Sequence, residues 1–290
     1  ETALYQLKYK SNDTILKQET YPMPDGTELV LLKYPLLEQT GIVGHCFSTR
    51  YGGVSEGFLG SMNLSFSRGD KKENVEENFR RITSVLGKST KDLVFTDQTH
   101  TTNVRKVTAE DAGCGIVKDR GYTDIDGLIT DEPGLVLATF YADCVPLYFV
   151  DPVHRAIGLS HSGWRGTAGR MGAVTLAAME REYGTKPQDV ICAIGPSICQ
   201  ECYEVSEDVA EVFQREFRGR EEEILDPKGN GKYQLDLWHA NEIVLQEADV
   251  VKEHLAVTNL CTCCNPDVLF SHRASAGKRG NLGAFLFLKE

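Results

Sequence analysis

Residues 134–160, GLVLATFYADCVPLYFVDPVHRAIGLS, carry three apolar runs separated by only a few polar residues. Each run is rich in Val, Leu, Phe and Tyr and far too short to cross a bilayer. Short continuous apolar runs bounded by turn residues read as buried strands, and Asp151-Pro152 is a turn signal between two of them. The chain is therefore committed to a sheet covered by other layers. A thiol, Cys144, and an imidazole, His161, stand where two of these strands break off.

The rest of the sequence supplies the covering layers. ELVLLKY (28–34) and VGHCFSTR (43–50) also read as strands, while residues 1–27 are polar and turn-rich and read as an N-terminal arm or early hairpin. Val75, Phe79, Ile82 and Val85 recur at the helical period over 73–87. Further helices are expected over 169–184, 206–217 and 236–255, and the tail VLFSHR…GNLGAFLFL closes with strand-like runs. Strands come in bursts between helices, which predicts an α+β fold. Its mixed β-sheets are flanked by helices in one large domain, 28–290, instead of a doubly wound sheet. No glycine fingerprint for a dinucleotide or a P-loop is present.

The 290 residues carry a formal net charge of -11, which argues against nucleic acid and anionic membranes as partners. Nothing reads as a secretory leader or a membrane span. Nine cysteines, an odd number, suit reduced thiols in the cytoplasm better than a disulfide framework. Small-molecule partners remain, with the chain acting as a monomer or homodimer.

His100 shares the pattern of Cys144 and His161, since it ends the apolar run DLVFTDQTH. Two imidazoles and a thiolate form a coherent zinc shell that keeps a fourth position open, the mark of a catalytic site. The same donors suit blue copper if Met171 serves as axial ligand. A full multicopper oxidase is excluded by the lack of any His-x-His. A Cys144 nucleophile with His100 or His161 as base is the third reading, with Asp143 as the orienting carboxylate. A fourth is a structural zinc in an interaction module, completed by His45 or Cys46. Cys199-x-x-Cys202 and Cys261-Thr262-Cys263-Cys264 invite a separate four-cysteine site, against which packed free thiols are the default expectation.

Arg50, Arg165 and Arg279 lie in glycine-rich loops, where backbone and guanidinium together suit phosphate. Thr167 precedes an expected helix start able to hold an anion. Trp164, Phe66 and Tyr203 are candidate platforms for a flat base.

TDQTHTTNV, DGLITDEPGLVLATFYADCVPL, HSGWRGTAG, GPSICQECYEV and CTCC…FSHRASAGKRGNLGAF, in that order, resemble the laccase-domain family. Its bacterial members include the YlmD and YfiH proteins. The resemblance runs from about Gly44 to the C-terminus and implies a laccase-domain-like catalytic domain with a fold related to cysteine-hydrolase-like toxins. The family, formerly described as multicopper polyphenol oxidoreductases, is one of cytoplasmic zinc-dependent purine nucleoside phosphorylases. Adenosine deaminase and methylthioadenosine phosphorylase activities accompany that function. The resemblance places the family's metal ligands on His100, Cys144 and His161. Phosphorolysis then needs an anion cradle, for which Arg50, Ser48 and Asn63 are candidates beside Arg165 and Arg279. The usual deaminase signature H-x-E…P-C-x-x-C is absent, so deamination needs another proton shuttle, with Asp143 nearest in sequence. The C-terminal Cys-Thr segment departs from the family in continuing with two further cysteines.

Overall fold

The computed structural model describes residues 6–290. Two six-stranded mixed sheets lie face to face, and a three-stranded sheet sits at one side. The first sheet runs Lys17–Pro22, Glu28–Lys33, Val43–Ser48, Leu282–Leu288, Val136–Tyr141 and Leu93–Phe95 in spatial order. The second runs Leu255–Val257, Ile191–Ile194, Val145–Asp151, Ala156–Ser162, Gly127–Thr130 and Val104–Lys106.

Side-chain alternation sorts these strands between layers. In Val145–Asp151, Tyr148 and Val150 join Leu32, Phe47, Leu137 and Leu286 in the core between the sheets. Leu147 and Phe149, one residue out of phase, face the opposite way. There they meet Leu176, Met179, Ile243 and Val244 from the helices Met171–Tyr183 and Leu237–Glu247. On the far side, Val75, Phe79 and Ile82 of Lys72–Val85 pack against Val136, Ala138 and Phe285. The result is helix, sheet, sheet, helix, with three apolar seams set by period 2 in the strands and 3.6 in the helices. This is the mixed α+β single domain that the bursts of strands predict.

Residues 17–22 pair antiparallel with 28–33, the early hairpin expected as one reading of the N-terminal stretch, with position 27 in its turn. Other expectations need adjusting. The helix expected over 236–255 stops at Glu247, because Asp249 adopts a left-handed backbone (φ 74°) and Leu255–Val257 then joins the second sheet. Arg170, also left-handed (φ 61°), separates Met171–Tyr183 from a short helix, Trp164–Ala168, that occupies the expected glycine loop. Thr167 lies within that turn of helix, and its hydroxyl pairs with Ser162 at 2.9 Å, which removes it as an anion ligand.

Candidate active site

Strand register brings distant residues to one edge of the second sheet. Val145–Asp151 pairs antiparallel with Ala156–Ser162, so Val145 lies opposite Ser162 and Pro146 opposite His161. Cys144, just before Val145, therefore sits beside the end of the strand that carries His161. Gly127 pairs with Ser160 and, in parallel, with Val104, which brings Asp126 and the 99–103 loop to the same edge. The ligand-capable atoms of His100, Cys144 and His161 all lie within 4.8 Å of one another. His161 is buried, Cys144 half-buried and His100 exposed, so the cluster opens outward on the His100 side.

Asp126 organises this edge. Its carboxylate receives the backbone N–H groups of Thr99 (3.1 Å), His100 (3.1 Å) and Thr101 (3.0 Å) and the Thr101 hydroxyl (2.9 Å). It also contacts Nδ1 of His161 at 2.8 Å. One fully buried carboxylate thus fixes the left-handed turn at His100 (φ 65°) and the ring of His161 together. Burial works to raise the Asp126 carboxyl, but His161 and the Thr101 contacts outweigh it and hold it at about 2. Burial likewise opposes charge on His161, yet Cys144 and Asp126 raise that imidazole to about 9. His100 moves the other way, lowered by burial and by His161. A cation held by these three donors would leave Asp126 on the Nδ1 side of His161, where it fixes the ring.

Close approach favours a residue without a side chain at position 163. A Cβ there would lie 3.0 Å from His100 Nδ1 and 3.3 Å from Cys144 Sγ. Gly163 therefore lets the strand end pass between two of the donors.

The structure places the Asp143 carboxylate against the C-terminal loop. Its carboxylate accepts from Thr262 Oγ1 (2.6 Å), Ser271 Oγ (2.7 Å) and the Arg273 backbone N–H (2.7 Å), so it fastens the C-terminal loop. The carboxylate on histidine is Asp126, which sequence reasoning missed. Its signal was DGLITD, an acidic residue opening a buried strand as His100 and Cys144 flank others. Ser48, Asn63 and Arg50 also have partners within the chain. Buried Ser48 accepts the Gly283 N–H at 2.8 Å. Buried Asn63 bridges Ser65, Asp70 and Asn281. Arg50 binds the carbonyls of Gly60 (2.9 Å) and Pro266 (2.8 Å) over the Phe270 ring. Each of these polar groups holds the loops together. His45 and Cys46 belong to the first sheet, where His45 Nε2 accepts the Tyr34 N–H at 2.7 Å, so neither completes the cluster.

The other two arginines stay electrostatically linked to the donors. Arg165 lies over the Trp164 ring at 4.3 Å, and its charge lowers the His100 pKa. Half-buried Arg279 is lowered to about 10 by burial and by Arg68, while Asp143 and Cys144 pull it back up, so it stays cationic at neutral pH. Arg68, absent from the sequence reading, donates to the carbonyls of Gly277 (2.6 Å) and Arg279 (3.3 Å). A cleft of about 770 Å³ lies to one side, lined by Phe66, Gln98, Arg120, Phe140 and Asn281 but by none of the three donors. The convergent chemistry, not that volume, marks the candidate site.

Comparison with known proteins agrees with this picture. The family model for the multi-copper polyphenol oxidoreductase laccase matches residues 44–289. Purine nucleoside phosphorylase YlmD of Bacillus subtilis (strain 168) is 34% identical over 245 residues, covering 84% of this chain and 88% of that protein. A purine nucleoside phosphorylase of Deinococcus radiodurans is 36% identical over 255 residues, covering 88% and 93%. The crystal structure of YlmD from Geobacillus stearothermophilus superposes with a TM-score of 0.86 at 33% identity, covering 95% of this chain and 99% of that one. The same fold and a match spanning nearly all of it place this chain in the multi-copper polyphenol oxidoreductase laccase family.

Proposed function

We propose that the protein is a zinc-dependent purine nucleoside phosphorylase acting on inosine, adenosine and methylthioadenosine, with adenosine deamination as a second activity of the same site. The observation that carries this reading is the meeting of His100, Cys144 and His161 at one open sheet edge, in a chain whose relatives bear the phosphorylase name. The donor set fits zinc: one sulfur and two imidazoles, with Asp126 on His161 Nδ1 so that Nε2 is left to bind. When bound, the ion supplies a Lewis acid that polarises a substrate oxygen.

The chain's own groups account for the rest. A phosphate oxygen bonds to ribose C1′ as the glycosidic C–N bond breaks, and the departing purine takes up a proton. Arg279, with Arg68 beside it, offers positive charge for the phosphate. Trp164, backed by Arg165, provides a flat surface for the base. Asp126 keeps the two histidines in register throughout. Nine unpaired cysteines suit a reducing setting, and this reading assigns the protein to the cytoplasm.

Inosine turnover is the direct test. Hypoxanthine release should require phosphate and yield ribose 1-phosphate in equal amount; release at the same rate without phosphate would identify a hydrolase. A second reading rests on the hydrogen-bonded line Asp126–His161–Cys144, the geometry of a cysteine nucleophile with an oriented base. Activity that survives complete metal removal would favour it, because a metal-bound thiolate does not attack.

A further inference from the structure

The second cysteine cluster lies outside this site, in two loops that meet through a bridge between Ser197 and Cys261 and a Thr262 N–H bond to Ser197 O. Each loop carries Cys-x-x-Cys: Cys199 with Cys202, and Cys261 with Cys264. The four sulfurs all lie within 4.8 Å of one another. Cys264 Sγ is 3.9 Å from Cys199 Sγ and 3.6 Å from Cys202 Sγ. Four sulfurs about 2.3 Å from a common zinc stand roughly 3.8 Å apart, the edge of the tetrahedron. Cys261 Sγ also receives two backbone N–H bonds, from Cys199 (3.2 Å) and Cys264 (3.3 Å). Such donors stabilise a thiolate and aim it inward, whereas a neutral packed thiol has little need of two.

The surroundings fit a charged centre. Cys199 and Cys261 are buried, while Cys202 and Cys264 are half-buried. Four thiolates around a divalent ion leave a net charge of about −2, and Lys10 is electrostatically coupled to both Cys199 and Cys264. The N-terminal segment that brings Lys10 there is fastened by Lys8 N–H to Asn265 Oδ1 (2.7 Å) and Asn265 Nδ2 to Lys8 O (3.1 Å). Between the cysteines, Thr262 donates to Asp143, the residue before Cys144.

We propose that Cys199, Cys202, Cys261 and Cys264 bind a structural zinc ion as a closed tetrathiolate, which staples the two loops and, through Thr262 and Asp143, braces the wall beside Cys144. The proposal does not depend on metal at His100, Cys144 and His161. Cys199 and Cys261 border the apolar core, yet all four sulfurs converge on one another, which packing against carbon alone does not require.

The test uses the full chain carrying His100→Ala and His161→Ala, dialysed against EDTA. One zinc per chain should remain, with X-ray absorption showing sulfur neighbours alone at about 2.3 Å. A mercurial thiol reagent should then release it. Zinc-free protein, or a zinc shell containing nitrogen or oxygen, overturns the proposal. Five titratable thiols in denaturant, in place of the nine cysteines present, would reveal two disulfides and overturn it equally. Cys202→Ser, at a half-buried position, should lose that zinc and unfold at lower temperature. If that variant does not fold, cobalt reconstitution of the unmodified chain must still show the intense bands of a tetrahedral tetrathiolate.

Discussion

The two thiol clusters are built from the same element and are opposites in design. One draws single donors from two strand ends and the 99–103 loop, separated by 44 and then 17 residues, and grades from buried His161 to exposed His100. The other draws paired donors from two short loops and surrounds its centre with sulfur. A mixed, incomplete set leaves a corner for a reactant, and a saturated set leaves none. The sheet edge therefore reads as the place for chemistry and the loop pair as the place for closure. Damage to the first should cost turnover with little loss of fold, and damage to the second should do the reverse.

His161→Ala breaks the open cluster most severely. It removes one donor and leaves the buried Asp126 carboxylate without its imidazole partner. Phosphorolysis should fall by more than about a hundredfold, the upper end of what outer-shell changes produce. Zinc content should drop by one ion per chain; unchanged content would remove His161 from the shell. Asp126→Asn keeps the shape and removes the charge. Zinc affinity at this edge should weaken by about 10–100-fold in competition with a chelator, while the sulfur-only ion is untouched. Equal loss at both clusters would show Asp126 to be a general folding residue and would erase the distinction drawn between them.

How much of this contrast was legible beforehand depended on whether the information was local. Strand runs such as VPLYFV and AIGLS announce themselves through side-chain pattern, and a donor at each end marks a sheet edge. Which edges coincide is a matter of register, and register is nonlocal: Pro146 opposite His161 appears in no spacing rule. The same limit left the four-cysteine site, which the spacings invite, without a geometry, since its loops are more than fifty residues apart in sequence but joined by the Ser197–Cys261 bridge. For Arg50, Ser48 and Asn63 the sequence leaves two roles open, because a loop polar group can serve a ligand or the loop itself, and its partners lie far away in sequence. Gly163 gave no signal beyond being one glycine among many. Gly163→Ala accordingly sharpens the geometry with a smaller effect. A methyl placed 3.0 Å from His100 Nδ1 forces that ring to shift by a few tenths of an ångström. Turnover should decline by roughly tenfold or less, with thermal stability and sulfur-bound zinc unchanged; a larger loss of stability than of rate would move Gly163 into the folding scaffold.

The smallest effect separates the donor edge from burial as such. His45 is as buried as His161 but has no thiol or carboxylate on its ring, and its Nε2 accepts the Tyr34 N–H. Burial, with Lys33 adding to it, lowers His45 to about 3, where Cys144 and Asp126 lift His161 to about 9. The sign follows from linkage. Above pH 6.5 neither the folded nor the unfolded chain carries a proton on His45, and its contribution to stability is fully present. Below 6.5 the unfolded chain takes up a proton that the fold refuses, so stability falls by up to about 1.4 kcal/mol per pH unit until about pH 3. His45→Gln retains an acceptor for Tyr34 and no longer titrates. Urea unfolding at pH 7.5 and pH 5 should show the unmodified protein losing about 2 kcal/mol more than the variant. Equal losses would mean that His45 is protonated in place, and burial alone would then no longer separate it from the imidazole at the donor edge.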